Sequence, residues 1–339
     1  MEELEAGVNP NQLFWSARAD SAEKVSDFLA GLMAWMVTGN LAEDDFDESL
    51  ERLKEVVDRG LGRTDSIVLE DLLKSEDIRM EEFFASEDFE GLTFAGMKEW
   101  LDQTREDSYI EITVVGDVVP RTLIRDVRRT FGSTPTRTGK VFQPRHSGPA
   151  QWREPGFREG TLKSSSKTGY VTLVFPQVED MACVADRRQD VFRPLLENHL
   201  QGALRDRPDW QSRLRVSTIG KNMVPRSNAL RVQLRCEQDE LESAKALLLD
   251  ATAAFADSLT PEFVLAAERA AWIDLKRVTR SSESLLKLFS QSQGKPNQMR
   301  CVLELLEKGI EEDFETYKSV AAKQFSEENV RGAIARPKG

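Results

Sequence analysis

The chain has 339 residues, 40% of them hydrophobic and 31% charged, with a net charge of −12. That length predicts two domains, and the balance is that of a globular protein. The negative sign excludes nucleic acid as a first partner, and no run of about eighteen apolar residues is present to span a membrane.

The N-terminal stretch MEELEAGVNPNQ is acidic and lacks the apolar core of a signal peptide, and the compartment stays open. Cys183, Cys236 and Cys301 fall in apolar-patterned segments. They are too few and too scattered for a disulfide or zinc framework, and are expected to be small buried residues.

Residues 13–19, LFWSARA, alternate as a short strand. Val25, Phe28, Leu29, Leu32, Met33 and Met36 then recur at helical spacing, and Gly39 is placed to close that helix. A second helix carries Phe46, Leu50, Leu53 and Val57 on one face, with Glu43, Asp44 and Asp45 in its first turn and Gly60 at its end. SIVLEDLL (66–73) predicts a third helix and LTFAGMKEWLDQTRED (92–107) a fourth.

In the passage IEITVVGDVVPRTLIRDVRRTFGSTPTR (110–137), Ile110, Ile112 and Val114 alternate with Glu111 and Thr113, which predicts a strand. Gly116 and Asp117 turn the chain, and Pro120 suits a first helical turn, where its missing N–H costs nothing. Leu123, Ile124, Val127 and Phe131 are expected on the inner face of that helix, with Gly132 and Pro135 ending it. Residues 138–156, rich in Gly, Pro, Ser, Thr and Arg, read as a linker.

The chain then starts afresh. GTLKSSS and YVTLVFPQ predict two strands. A long helix spans about Ala182 to Arg205, with Val191, Leu195, Leu196, Leu200 and Leu204 inward. RLRVSTI follows as a strand. In ALRVQLRCE, Leu230, Val232, Leu234 and Cys236 alternate with Arg231, Gln233 and Arg235, the mark of an antiparallel strand with one wet face.

Three segments recur in order about 217 residues on, a domain-sized repeat. NQLFWSARADSAEK matches NALRVQLRCEQDELESAK, LAEDDFDESLERLK matches LTPEFVLAAERAAW, and EGLTFAGMKEWLDQTRED matches GIEEDFETYKSVAAKQFSEEN. The fold expected is α+β: one full copy preceded by the back part of another.

These features resemble the M16 family of zinc metallopeptidases (insulinase, pitrilysin and processing-peptidase relatives), in which homologous α+β domains are duplicated into a clam-like chamber. The family's strand, "GD", helix and "FG.LP.R" passage resembles ITVVGDVVPRTLIRDVRRTFGSTPTR. Its long helix running into an "LR" pair resembles PLLENHLQGALRDRPDW. The resemblance runs from about residue 11 to 334. It implies α/β sandwich domains, with an antiparallel-rich mixed sheet and helices packed on one face. Residues 1–137 would be the C-terminal part of a first domain that begins at its third strand, and 157–339 a complete second domain. The short first copy implies a piece of a longer protein or a half-domain completed by a partner chain.

An active member needs H-x-x-E-H, two histidines one turn apart on a helix and a glutamate to activate water. Only His146, in the linker, and His199, on the long helix, are present, and no such motif occurs. His199 is expected to be a packed or surface histidine. No G-x-S-x-G, P-loop or G-x-G-x-x-G is present either. The catalytic set and the metal set are therefore empty in this chain, and zinc is expected only in a catalytic N-terminal half.

In active relatives the non-catalytic half offers an arginine and a tyrosine just after the long helix. Arg205 stands at the arginine, and Trp210 or Ser212 falls nearest the tyrosine. Arg205 is thus a substrate-binding candidate; a helix C-terminal charge, favoured by the dipole, is the other account, for it and for Arg207. The resemblance implies the non-catalytic C-terminal half of a zinc metalloendopeptidase, walling the chamber and binding peptide beside an N-terminal peptidase half or partner subunit. The alternative is an inactive M16-like scaffold or interaction subunit. Net charge alone predicts a preference for basic peptides.

Overall fold

The structure, a computed structural model, describes residues 3–9, 12–39, 41–58, 89–133, 152–162, 167–178, 183–219, 228–290, 296–309 and 312–337. The chain divides into two compact units. One comprises Met1–Leu61, Phe83–Arg145 and Ser281–Gly294; the other comprises Gly62–Glu82, His146–Arg280 and Lys295–Gly339.

The first unit opens with β1 (Glu3–Asn9), antiparallel to β2 (Gln12–Arg18). Helix α1 (Ala22–Thr38) follows, its first turn capped by the Ser21 hydroxyl. Gly39 ends it in the left-handed region at φ 53°, a conformation a side chain disfavours, and donates its N–H to Trp35 O. Trp35 packs edge-on to Trp15, 5.3 Å between centroids, with the Arg105 guanidinium over its ring at 5.1 Å. Next come α2 (Glu43–Asp58) and α3 (Phe94–Asp107), joined by the Phe46–Phe94 ring contact. The expected helix at 66–73 lies outside the described residues.

Helix α4 (Pro120–Thr130) starts on its proline as expected. Asp126 on it accepts from the Ser26 hydroxyl of α1 at 2.8 Å, which holds the Asp126 carboxyl below its usual pKa. Two expectations fail here. Ile124 is exposed rather than inward, and residues 110–114 belong to no strand. Alternation sets which face a residue would present; a strand also needs a neighbour, and no described strand pairs with this segment. Residues 134–137 of the passage, and 138–151 of the expected linker, lie outside the described residues.

The second unit is built on a five-stranded sheet in the order β3-β7-β4-β6-β5. In chain order it contains β3 (Gly156–Thr161), β4 (Thr168–Pro176), α5 (Cys183–Ala203), α6 (Pro208–Arg213), β5 (Leu214–Ile219) and β6 (Ala229–Glu237). Then come α7 (Leu241–Ala253), α8 (Phe255–Ser258) and α9 (Pro261–Val278). Helix α10 (Ser282–Phe289) returns to the first unit, and α11 (Pro296–Lys308), α12 (Phe314–Gln324) and β7 (Arg331–Arg336) complete the second. All pairs are antiparallel except β3–β7.

β1 and β7 are strands that the sequence pattern did not announce. The order β2-α1-α2-α3 recurs as β6-α7-α9-α12, and β7 then follows α12 as residues 110–115 follow α3. β7 is held between β3 and β4, and the first unit has no described counterpart of either.

The sheet packs one face on the helices. Val171, Leu173, Phe175, Leu230, Val232 and Leu234 meet Val191, Phe192, Leu196, Leu200 and Leu204 from the α5 segment, all fully buried. Each such side chain contributes about 1.5–3 kcal/mol. Leu195, expected inward with them, is half-buried. Phe192 sits centrally, its ring edge-on to Phe255, Tyr317 and Phe325 within 6.2 Å. Cys236 is a buried free thiol, its pKa pushed up to about 12 by burial. Cys301, by contrast, is disulfide-bonded, which corrects the expectation of three buried thiols; scatter in sequence does not measure separation in space.

Candidate functional site

Helix α5 gives way to a turn at residues 204–206 and then to α6, where Pro208 fits the first turn. Arg205 lies in that turn and is exposed. Its backbone N–H donates to Gly202 O, and its side chain makes no hydrogen bond or ion pair with the described residues. Arg207 and Trp210 behave differently. The Arg207 guanidinium lies over the Trp210 ring at 3.9 Å and donates to Glu240 Oε1. Trp210 is buried, and its indole N–H donates to Glu240 Oε2 at 3.1 Å.

One carboxylate therefore ties down two groups, and Trp210 is committed to the core. It is not free to stand in for a substrate-holding tyrosine. Ser212 is exposed and donates to Asp209 O.

His199 donates from Nε2 to Ala251 O at 2.9 Å, with its ring edge-on to Phe255. Its neighbours one turn away on α5 are Leu195 and Ala203, neither of which ligates a metal. An H-x-x-E-H zinc site needs two histidines one turn apart on one helical face, so the residues of α5 do not fit it. Among the described residues no group of three or more His, Cys, Asp or Glu could hold a metal ion. His146 lies outside them.

A more organised constellation stands on the sheet face turned away from α5 and α7. Register across β4, β6 and β5 sets it out in rows: Tyr170 beside Arg235, Thr172 beside Gln233 beside Arg215, and Val174 beside Arg231 beside Ser217. Arg213 precedes β5. Together Tyr170, Ser212, Arg213, Arg215, Gln233 and Arg235 line an open cavity of about 230 Å³.

Backbone and hydroxyl groups hold these cations. Arg235 Nε donates to Thr168 Oγ1 at 2.6 Å, and Arg215 Nη1 to Leu214 O at 2.8 Å and Ser212 O at 3.1 Å. Glu237 approaches Arg213 at 3.8 Å, outside hydrogen-bonding distance. β5 is also an edge of the sheet. Sequence alternation placed Arg231 and Arg235 on a wet face but did not join them to Arg213 and Arg215. The available signal was that RLRVSTI (Arg213, Arg215) and ALRVQLRCE (Arg231, Arg235) both confine their arginines to the alternation opposite the apolar one.

No protein-family model and no curated protein sequence matches the chain. Solved structures do. A peptidase M16 inactive domain from Pseudomonas fluorescens superposes on 99% of this chain and 81% of its own, with TM-score 0.72 and 12% identity. The chain has the M16-like peptidase fold. The ferredoxin protease FusC, solved with Arabidopsis ferredoxin, matches 99% of the M16-like chain at TM-score 0.76 and 15% identity. The periplasmic protease PqqL from Escherichia coli matches the same share at TM-score 0.72 and 13% identity. This chain spans 37% of the length of each of those two proteins. The α+β class expected from the sequence stands. Among the described residues no single helix is long and apolar enough to cross a membrane.

Proposed function

We propose that the chain is the non-catalytic half of an M16-like zinc metalloendopeptidase. In this role it walls the substrate chamber and binds peptide, while a catalytic half brings the metal and the general base. The observation that carries this is the M16-like fold without the motif: the chain aligns over 99% of its length with an M16 inactive domain, and His199 is occupied by Ala251 O. Shared fold alone fixes no activity, so the role rests on the residues.

Two features support peptide binding. Edge strand β5 offers main-chain groups to which an extended peptide can add, and Arg205 is exposed with its side chain uncommitted among the described residues. The ferredoxin seen with FusC and the protease activity named for PqqL point to the same class of partner, a polypeptide. The alternative, an M16-like scaffold that works by protein interaction and never meets a metal half, is favoured by the likeness to a domain described as inactive.

The test is cleavage and binding of a fluorescein-labelled unfolded casein, by the chain alone and mixed with an H-x-x-E-H-bearing M16 half from the same source. The expected result is saturable binding with no turnover alone, and turnover in the mixture. Binding with no turnover in either arm would select the scaffold. Chelator-sensitive turnover by this chain alone, or no binding, would overturn the proposal.

A further inference from the structure

The sheet face with its three cavity arginines belongs to a protein of net charge −12, and that mismatch calls for a partner. We infer that the cavity formed by Arg213, Arg215 and Arg235 receives the carboxylates of an acidic, extended polypeptide segment lying along β5. This deepens the proposed peptide-binding role and rests on it, and it reverses the preference that net charge alone predicts.

The chemistry of the lining carries the inference. A guanidinium has five N–H donors in a planar fork matched to a carboxylate. Arg215 spends one nitrogen on carbonyls, and Arg235 spends Nε on Thr168. The remaining donors of these two make no hydrogen bond with the described residues, and Arg213 has only the long approach of Glu237. The backbone carbonyls and Thr168 fix where two of the cations stand, so less side-chain entropy is lost on binding than for free surface arginines.

Size and place then choose among anions. A volume of about 230 Å³ suits one or two side-chain carboxylates. The sheet edge beside it supplies backbone donors and acceptors that only a polypeptide can pair. A long polyanion such as nucleic acid would meet the negative field of the whole protein. Inside a Debye length of about 8 Å the local arginines dominate, which favours a short acidic segment.

The experiment is fluorescence anisotropy of the intact chain with three labelled twelve-residue peptides, acidic, neutral and basic, and a single-stranded DNA 12-mer. The acidic peptide should bind at least tenfold more tightly than the neutral one, and weaken tenfold or more between 50 and 300 mM salt. The variants R213Q/R215Q and R215E should each remove that tenfold advantage and flatten the salt dependence, with thermal melting confirming that both are folded. Equal binding of acidic and neutral peptides, unaffected by the variants, would overturn the inference and leave peptide binding standing. No binding of any peptide would overturn both. DNA binding as tight as the acidic peptide, lost in the same variants, would assign the face to nucleic acid and also overturn it.

Discussion

Replacing Glu240 with Ala tests whether one carboxylate secures the turn that presents Arg205. Three donors converge on it: the Trp210 indole, the Arg207 guanidinium and the backbone N–H of Glu237 at 3.3 Å. Trp210 is 1% exposed, so its N–H would be stranded at a cost of about 1–3 kcal/mol. The Arg207 pair is partly exposed, 41% and 26% for the two side chains, and adds no more than about 1 kcal/mol. The Glu237 contact adds about 0.5 kcal/mol.

The expected loss from E240A is therefore about 2–4 kcal/mol, a large part of a domain stability of about 5–15 kcal/mol. Urea unfolding followed by circular dichroism should show a lower midpoint with an unchanged slope. E240Q, which keeps an acceptor for the indole, should lose about 1 kcal/mol. In a W210F background no N–H remains to strand, so E240A should cost only about 1 kcal/mol, giving a coupling of about 1–3 kcal/mol. An E240A loss below about 0.5 kcal/mol, or the same loss with and without the indole, would refute the assignment.

Two further substitutions probe the second unit. Burial raises the Glu268 pKa above the ordinary carboxylate value, with a smaller raising effect from Glu312, against a lowering contact with Tyr317. A raised folded-state pKa means that stability present below the unfolded pKa is lost as pH rises through the folded one. E268Q stays neutral throughout, so its melting temperature should match the parent at pH 4 and exceed it at pH 8; a constant difference across that range would contradict the sign. At Gly169 an added Cβ would lie 2.5 Å from Ala335 O and about 3 Å from the Leu241 methyls. G169A should thus cost about 1–3 kcal/mol by forcing β4, β7 and α7 apart, measured by thermal melting, whereas a neutral result would mean the strands separate freely.

What could be read along the chain, and what could not, follows from how local each determinant is. Helix α1 was legible because its spacing, its Ser21 cap and the left-handed Gly39 all lie within one segment. β6 was legible because Leu230, Val232, Leu234 and Cys236 declare the covered face by themselves. β7 was not. Arg331–Arg336 reads RGAIAR, a string of small residues with one β-branched side chain, and its small size is imposed by neighbours: a Cβ at Gly332 would lie 2.2 Å from the Phe157 ring. The reverse error at 110–114 has the same source, since ideal alternation there finds no partner strand among the described residues. The arginine cavity repeats the lesson at the level of function. Arg213 is an ordinary helix-end charge, Arg215 and Arg235 are ordinary wet-face residues one strand at a time, and Trp210 looks available one helix at a time. Only the register that sets Leu214 against Leu234 gathers the arginines, and only Glu240, thirty residues on, claims the indole. A binding face made by lateral strand pairing is therefore invisible to periodicity, which reports the side of the sheet and never the neighbour across it.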